Sequence, residues 1–126
     1  MREAPVATIP SPREIGGSSS EALAAFLDDF LAAGARAAIV LPDGLAISLL
    51  SVIERRGLRV PEDFAIVAYD DEIASLASVP LTAIAPPKAA VGRRALETCF
   101  MRLESRDASP SHRIALAPSL TLREST

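Results

Sequence analysis

Three acids in succession, Asp70-Asp71-Glu72, follow the apolar run Phe64-Ala65-Ile66-Val67-Ala68-Tyr69. Carboxylates in such a cluster can accept hydrogen bonds from ligand hydroxyls or amines, share a proton in acid–base chemistry, or hold a hard cation. Catalysis needs more than acids, and no nucleophile, second base or oxyanion-stabilising group accompanies them, so an enzyme ranks below a binding protein. Asp70 stands where a buried parallel strand ends, the edge at which open α/β sheets take their ligands. The alternative for Asp70 is a turn residue that caps the short helix after it. Asp43, in Pro42-Asp43-Gly44, follows another apolar run and can accept hydrogen bonds from the free N–H groups that open the next helix. Gly16-Gly17-Ser18 precedes a helix, as anion cradles do, but lacks the spacing and lysine of a phosphate loop and reads as a plain loop. His112 lies alone in a polar stretch, with no metal partner in view. Cys99 falls on the apolar stripe of its helix and reads as a small buried residue.

Elements that would carry these side chains are legible from periodicity. Val6 to Ile9 reads as a short strand closed by Pro10 and Pro12. Ser18 precedes Glu21 at capping-box spacing. Leu23, Phe26, Leu27, Phe30 and Leu31 then form one helical stripe, with Gly34 as its stop. Ala37 to Leu41 is a continuous apolar run, suited to a strand buried on both faces of a parallel sheet. The helix from Asp43 to about Arg56, stopped by Gly57, is apolar on more than one side and must be covered twice, inside the domain or by another subunit. Phe64 to Tyr69 and Leu81 to Ile84 read as strands. Pro86-Pro87 breaks the chain before a third helix, Lys88 to about Arg106. Arg113 to Leu116 and Leu120 to Arg123 read as two last strands. Alternation of this kind predicts an α/β fold, a three-layer αβα arrangement on a mainly parallel sheet.

The 126 residues suffice for one core, and 49% hydrophobic with 23% charged residues is a globular balance. A net charge of -3 argues against non-specific phosphate binding. The single cysteine cannot close an internal disulfide. No apolar run approaches the roughly 20 residues of a membrane helix, and Met1-Arg2-Glu3-Ala4-Pro5 opens no signal peptide. The expectation is a cytoplasmic protein that needs no cofactor and touches no membrane.

From Ala37 onward the sequence resembles the LacI/GalR family of bacterial regulators. Ala38-Ile39-Val40-Leu41-Pro42-Asp43 stands where the family has an apolar strand ending in Asn-Asp. Arg56-Gly57-Leu58-Arg59-Val60-Pro61-Glu62-Asp63 resembles its Gly-Leu-x-Val-Pro-x-Asp turn. Ala68-Tyr69-Asp70-Asp71 resembles Gly-Phe-Asp-Asp, and Pro80-Leu81-Thr82-Ala83 resembles Pro-Leu-Thr-Thr. Gly92-Arg93-Arg94-Ala95 is similar to the family's Gly-x-x-Ala helix start. Arg123-Glu124-Ser125-Thr126 is similar to its Arg-x-Ser-Thr finish. The chain departs from the pattern at Pro42, where the family has Asn, and at Pro86, where many relatives have Gln. Two polar groups of the expected pocket are thereby lost.

The resemblance implies an incomplete C-terminal subdomain of a periplasmic-binding-protein-like fold. It implies residues 1–20 as an N-terminal strand and loop, 21–87 as the core of a sensor subdomain, and 88–126 as a helix and final strands. That helix belongs, in the complete family fold, to an N-terminal subdomain missing here. Function follows as the effector-binding and dimerisation portion of a transcriptional regulator. Asp70, Asp43 and Tyr69 would face a sugar or nucleobase-like effector, and Ile47, Leu76 and Val79 would face a second subunit, either a copy of this chain or a full-length regulator. Operator DNA would be reached only through a helix-turn-helix head that this chain lacks. The alternative is a headless interaction module with no small ligand.

Overall fold

A computed structural model describes residues 19–104 and 113–126. The expected strand Val6–Ile9, the Gly16-Gly17-Ser18 loop, the Ser18 cap and His112 lie outside the described residues. Helix α1 spans Ser19–Ala32, strand β1 Ala37–Val40, helix α2 Asp43–Arg55 and strand β2 Ala65–Tyr69. A 3₁₀ turn at Ala74–Leu76 follows, then β3 at Thr82–Ala85, α3 at Lys88–Glu104 and β4 at Ser119–Thr121.

Both early helices end where glycine permits a left-handed turn. Gly34 has φ +80 and Gly57 φ +72. At each, the glycine N–H and the next N–H reach back across the last turn: Gly34 N to Leu31 O at 3.0 Å and Ala35 N to Phe30 O at 2.9 Å, then Gly57 N to Glu54 O at 2.9 Å and Leu58 N to Ile53 O at 3.2 Å. Paired bonds of this kind satisfy carbonyls that the helix itself leaves open.

The four strands lie in the order β1-β2-β3-β4. β1, β2 and β3 are parallel, and β4 closes the edge antiparallel to β3. Ala38 pairs with Ile66, Val40 with Ala68, and Ala68 with Ala83, so these side chains share one face. That face is the core, packed by Leu23 and Leu27 from α1 and by Ala46, Leu49, Leu50 and Ile53 from α2. The double burial expected for α2 is met inside the domain, by α1 on one flank and by β1 and β2 on the other.

The opposite face departs from expectation. β1 alternates exposed and buried instead of being buried throughout, and Ile39 is 63% exposed. No described element covers that side. α3, the helix available for the task, buries none of its own residues. Cys99 is therefore exposed, not a core residue, because its stripe has no sheet to lie on. It lines a shallow groove with Val91, Ala95, Ile114 and Leu116. The strand expected at Arg113–Leu116 does not form. Residues 113–118 run outside any ladder, since β3 has only one free edge and Ser119–Thr121 occupies it.

The last residues lock the sheet. The Ser125 hydroxyl, fully buried, donates to Ile66 O at 2.6 Å and accepts from Thr82 N at 2.8 Å. Arg123 N donates to Thr82 Oγ1 at 2.9 Å and its guanidinium to Leu81 O at 2.7 Å.

Candidate functional site

The parallel strands β1, β2 and β3 all deliver their carboxyl ends to one edge of the sheet, and each is followed there by a charged residue: Asp43, Asp70 and Lys88. Strand-to-helix turns on a parallel sheet generate this convergence with no further instruction. Of the acids of the β2 exit, expected either as a ligand site or as a solvated turn, Asp70 and Glu72 share Lys88, and Asp71 pairs with Arg123 and Thr121.

Asp70 N donates to Ile84 O at 3.0 Å, the last bond along β2. The chain then leaves through two consecutive positive φ angles, 103° at Asp70 and 55° at Asp71. Non-glycine residues pay steric strain in this region, and such strain concentrates at binding and active sites. Lys88 Nζ lies 3.1 Å from Asp70 Oδ1 and donates to Glu72 Oε1 at 2.6 Å. The Asp70 side chain remains 30% exposed, within reach of a ligand. Glu72 and Asp70, in that order, draw the Lys88 ammonium above its ordinary pKa.

Asp71 turns the other way. Its Oδ1 lies 2.7 Å from Arg123 Nη2, and its Oδ2 accepts the Thr121 hydroxyl at 2.8 Å. Burial works to raise its pKa, but the Thr121 and Arg123 hydrogen bonds outweigh that and hold the carboxyl below its ordinary value. Asp71 thus fastens the β2 exit to β4.

Asp43 corrects the expectation of a helix cap. The residue at the cap position of α2 is Pro42, with no side-chain cap bond. Asp43 instead points across to the next loop, where Oδ2 accepts from Glu72 N at 2.7 Å and Ile73 N at 3.0 Å. These N–H groups stand just ahead of the 3₁₀ turn, which leaves them without a local partner. At 3% exposure, the Asp43 carboxylate holds the loop rather than meeting solvent. Tyr69 pairs with Ile84 across β2 and β3 and is half-buried on the sheet face away from α2.

The residues expected at a subunit interface are dispersed in character. Ile47 and Val79 are half-buried and pack against the core. Leu76, on the 3₁₀ turn, is 78% exposed. Lys88, Thr121 and Arg123 were not singled out from sequence, although each binds an acid of the cluster. The one sequence signal for Lys88 was its place directly after Pro86-Pro87 at a strand exit. Among the described residues no group of His, Cys, Asp and Glu has the arrangement of a metal site, and no helix is long and apolar enough to cross a membrane.

Comparison with known proteins gives this edge a context. Residues 2–126 match the family model of the periplasmic binding protein-like domain. The ribose operon repressor of Haemophilus influenzae is 38% identical over 84 residues, covering 66% of this chain and 25% of that protein. The arabinose metabolism transcriptional repressor of Geobacillus stearothermophilus is 41% identical over 85 residues, covering 67% of this chain and 23% of its own. The chain therefore spans about a quarter of the length of these relatives. Among solved structures, a complex of the transcriptional regulator CelR with cellobiose superposes with a TM-score of 0.73 at 30% identity, over 88% of this chain and 35% of that one. A LacI family transcriptional regulator from Arthrobacter sp., in complex with lactose, gives a TM-score of 0.69 at 33% identity, over 85% and 40% of the two chains. A sheet whose parallel strands converge on one charged edge, a family match over residues 2–126, and relatives named as transcriptional repressors and LacI family regulators agree: the chain belongs to the periplasmic binding protein-like domain family, in the form carried by LacI-type transcriptional regulators.

Proposed function

We propose that this chain binds a neutral, polyhydroxylated effector, a sugar in the first instance, at the carboxyl edge of β1–β3, and that it acts by binding and not by catalysis. The observation that carries this reading is Asp70: a part-exposed carboxylate at the exit of the central parallel strand, on backbone with φ 103°. A carboxylate there accepts hydrogen bonds from ligand hydroxyls. Asp43 supports it indirectly by gripping the N–H groups of Glu72 and Ile73, and Tyr69 supplies an apolar flank with a hydroxyl tip. The relatives solved with cellobiose and lactose favour a sugar over a nucleobase. Within a complete regulator this portion would pair with a second subunit through Ile47, Leu76 and Val79. Contact with operator DNA would belong to a separate head, and the site of action would be the cytoplasm.

The test is a thermal-shift and calorimetric titration with cellobiose, lactose and ribose. A ligand bound only by the folded state raises the melting temperature, by the equivalent of about 2.7 kcal/mol at a hundredfold excess over Kd. One of these sugars is expected to raise it, and Asp70→Asn to abolish the rise while leaving the unliganded melting temperature within a few degrees. No shift with any of the three, or equal binding by Asp70→Asn, overturns the reading. A second reading, an interaction module without a small ligand, is favoured by Pro42 and Pro86, which bring no side-chain donor or acceptor to the same edge. It predicts a dimer that forms without sugar and is lost in Leu76→Asp, a change at an exposed position that the fold tolerates.

A further inference from the structure

Lys88 sits in an unfavourable place for a cation. It is the first residue of α3, where the aligned peptide dipoles present their positive end, and no acid stands in the helix's first turn to offset it. Its compensation comes from outside the helix, from Asp70 at 3.1 Å and Glu72 at 2.6 Å. The approach to it is stiff, because Pro86 and Pro87 each fix φ, and Lys88 N is itself bonded to Pro86 O at 2.8 Å. Beyond this point α3 buries no residue. Apart from the groove it forms with Ile114 and Leu116, α3 thus has few ties to the rest of the domain, and the Lys88 ion pairs are the ones that reach the candidate site.

We propose that Lys88 is a latch that competes with the effector for Asp70, so that occupancy at the β2 exit loosens the seating of α3. This rests on Asp70 being the effector's acceptor. A hydroxyl donating to Asp70 Oδ1 enters the position that the ammonium holds. Lys88 then keeps only Glu72, whose side chain is 67% exposed and whose pull is screened by water. The two-point hold becomes a one-point hold, and a helix without buried residues follows. The other acids do not share this role: Asp71 is committed to Arg123 and Thr121, and Asp43 to two backbone N–H groups. Coupling of this kind is reciprocal, so Lys88 also weakens effector binding by the factor through which it is displaced.

Cys99 makes the latch measurable, being the single cysteine of the chain and exposed on α3. A nitroxide on Cys99 and a second on Ala25→Cys, an exposed position of α1, report the distance between α3 and the body of the domain. Lys88→Met and Asp70→Asn are each expected to broaden that distance distribution, shifting the ratio of seated to unseated helix by up to about fivefold, the scale of an exposed ion pair. Glu97→Gln, which weakens the Arg94–Glu97 pair within α3 at a residue outside the groove, is expected to leave it unchanged. Saturating cellobiose or lactose should broaden the distribution of the otherwise wild-type labelled chain and leave that of Lys88→Met as it is. Lys88→Met should also bind the sugar up to about fivefold more tightly. Distributions that coincide in Lys88→Met, Asp70→Asn and the parent overturn the latch. So does a sugar that binds by calorimetry yet leaves the parent distribution unmoved. If neither sugar binds, the sugar reading falls on its own, and the two variants alone decide: broadening in both supports the latch, and no broadening overturns it.

Discussion

At the scale of single residues, Asp70 sets local strain against function. An L-residue at φ 103° is held in a region that costs about 1–2 kcal/mol relative to glycine. Asp70→Gly should relieve that cost and lose the carboxylate, whereas Asp70→Ala should lose the carboxylate and keep the strain. The stability difference between the two variants, measured by urea unfolding, is expected to be about 1–2 kcal/mol in favour of glycine. Equal stabilities would show that the strand exit is unstrained. Asp71 gives a pH-dependent counterpart. Its folded-state pKa lies below the ordinary 3.8, so the stability it lends is complete at neutral pH and drains as pH falls through that depressed value. Asp71→Asn should therefore lower the melting temperature most between about pH 5 and 7, with the gap to wild type narrowing below about pH 4. The pairs Asp28–Arg56 and Asp63–Arg59 titrate in the same direction in both proteins, so the difference isolates Asp71. A gap that stays constant down to the acid transition would mean that the Arg123 and Thr121 contacts lend Asp71 no stability.

At the scale of elements, burial separates α2 from α3. Leu49 is fully buried between α1 and the sheet, and Leu49→Ala should cost about 2–5 kcal/mol. Phe100 is larger but 62% exposed, and Phe100→Ala should fall within about 0.5 kcal/mol of wild type. Denaturant titration of the two variants checks the contrast, and a cost above about 2 kcal/mol for Phe100→Ala would place α3 in the core. The same contrast marks what could be read from sequence. α1 and α2 were legible to their glycine stops because stripe and stop are local, and β1–β3 because each is a short apolar run between turns. The exposure of Cys99, the one-sided burial of β1 and the irregular course of residues 113–116 were not legible, because each depends on what lies across the gap. The site divides likewise. Asp70 follows from the rule for strand exits, which needs only the chain order. Lys88, Thr121 and Arg123 reach the acids from other elements, and only the folded register brings them there. Asp43 was legible as an acceptor but not for its donors, which belong to a loop some thirty residues on.

At the scale of the whole molecule, the described elements cover the sheet on one side only. Ile39 lies beside Val67, and Tyr69 and Ile84 beside Leu120, on the face turned away from α1 and α2. Ile39 is 63% exposed, Leu41 54%, Leu120 57% and Leu122 73%. Parallel sheets are almost always covered on both faces, and a contiguous apolar surface of this kind drives association at accessible concentrations. The isolated chain should therefore self-associate on concentration and bind a hydrophobic dye. Ile39→Lys with Leu120→Lys should suppress both effects, and because these side chains are already in water, the melting temperature should move little. Leu76→Asp serves as the control, since it lies on the 3₁₀ turn that packs against α2, outside the strands of this face, and should leave the dye signal intact. Sedimentation velocity over a dilution series reads the association directly. Loss of the larger species in the double lysine variant alone would locate the association on the open sheet face. Loss in Leu76→Asp alone would shift it to the surface of Ile47, Leu76 and Val79, and the open face would then have to be inert despite its apolar content. The first outcome is expected, because the apolar side chains of the sheet face are the more exposed, whereas Ile47 and Val79 already pack against the core.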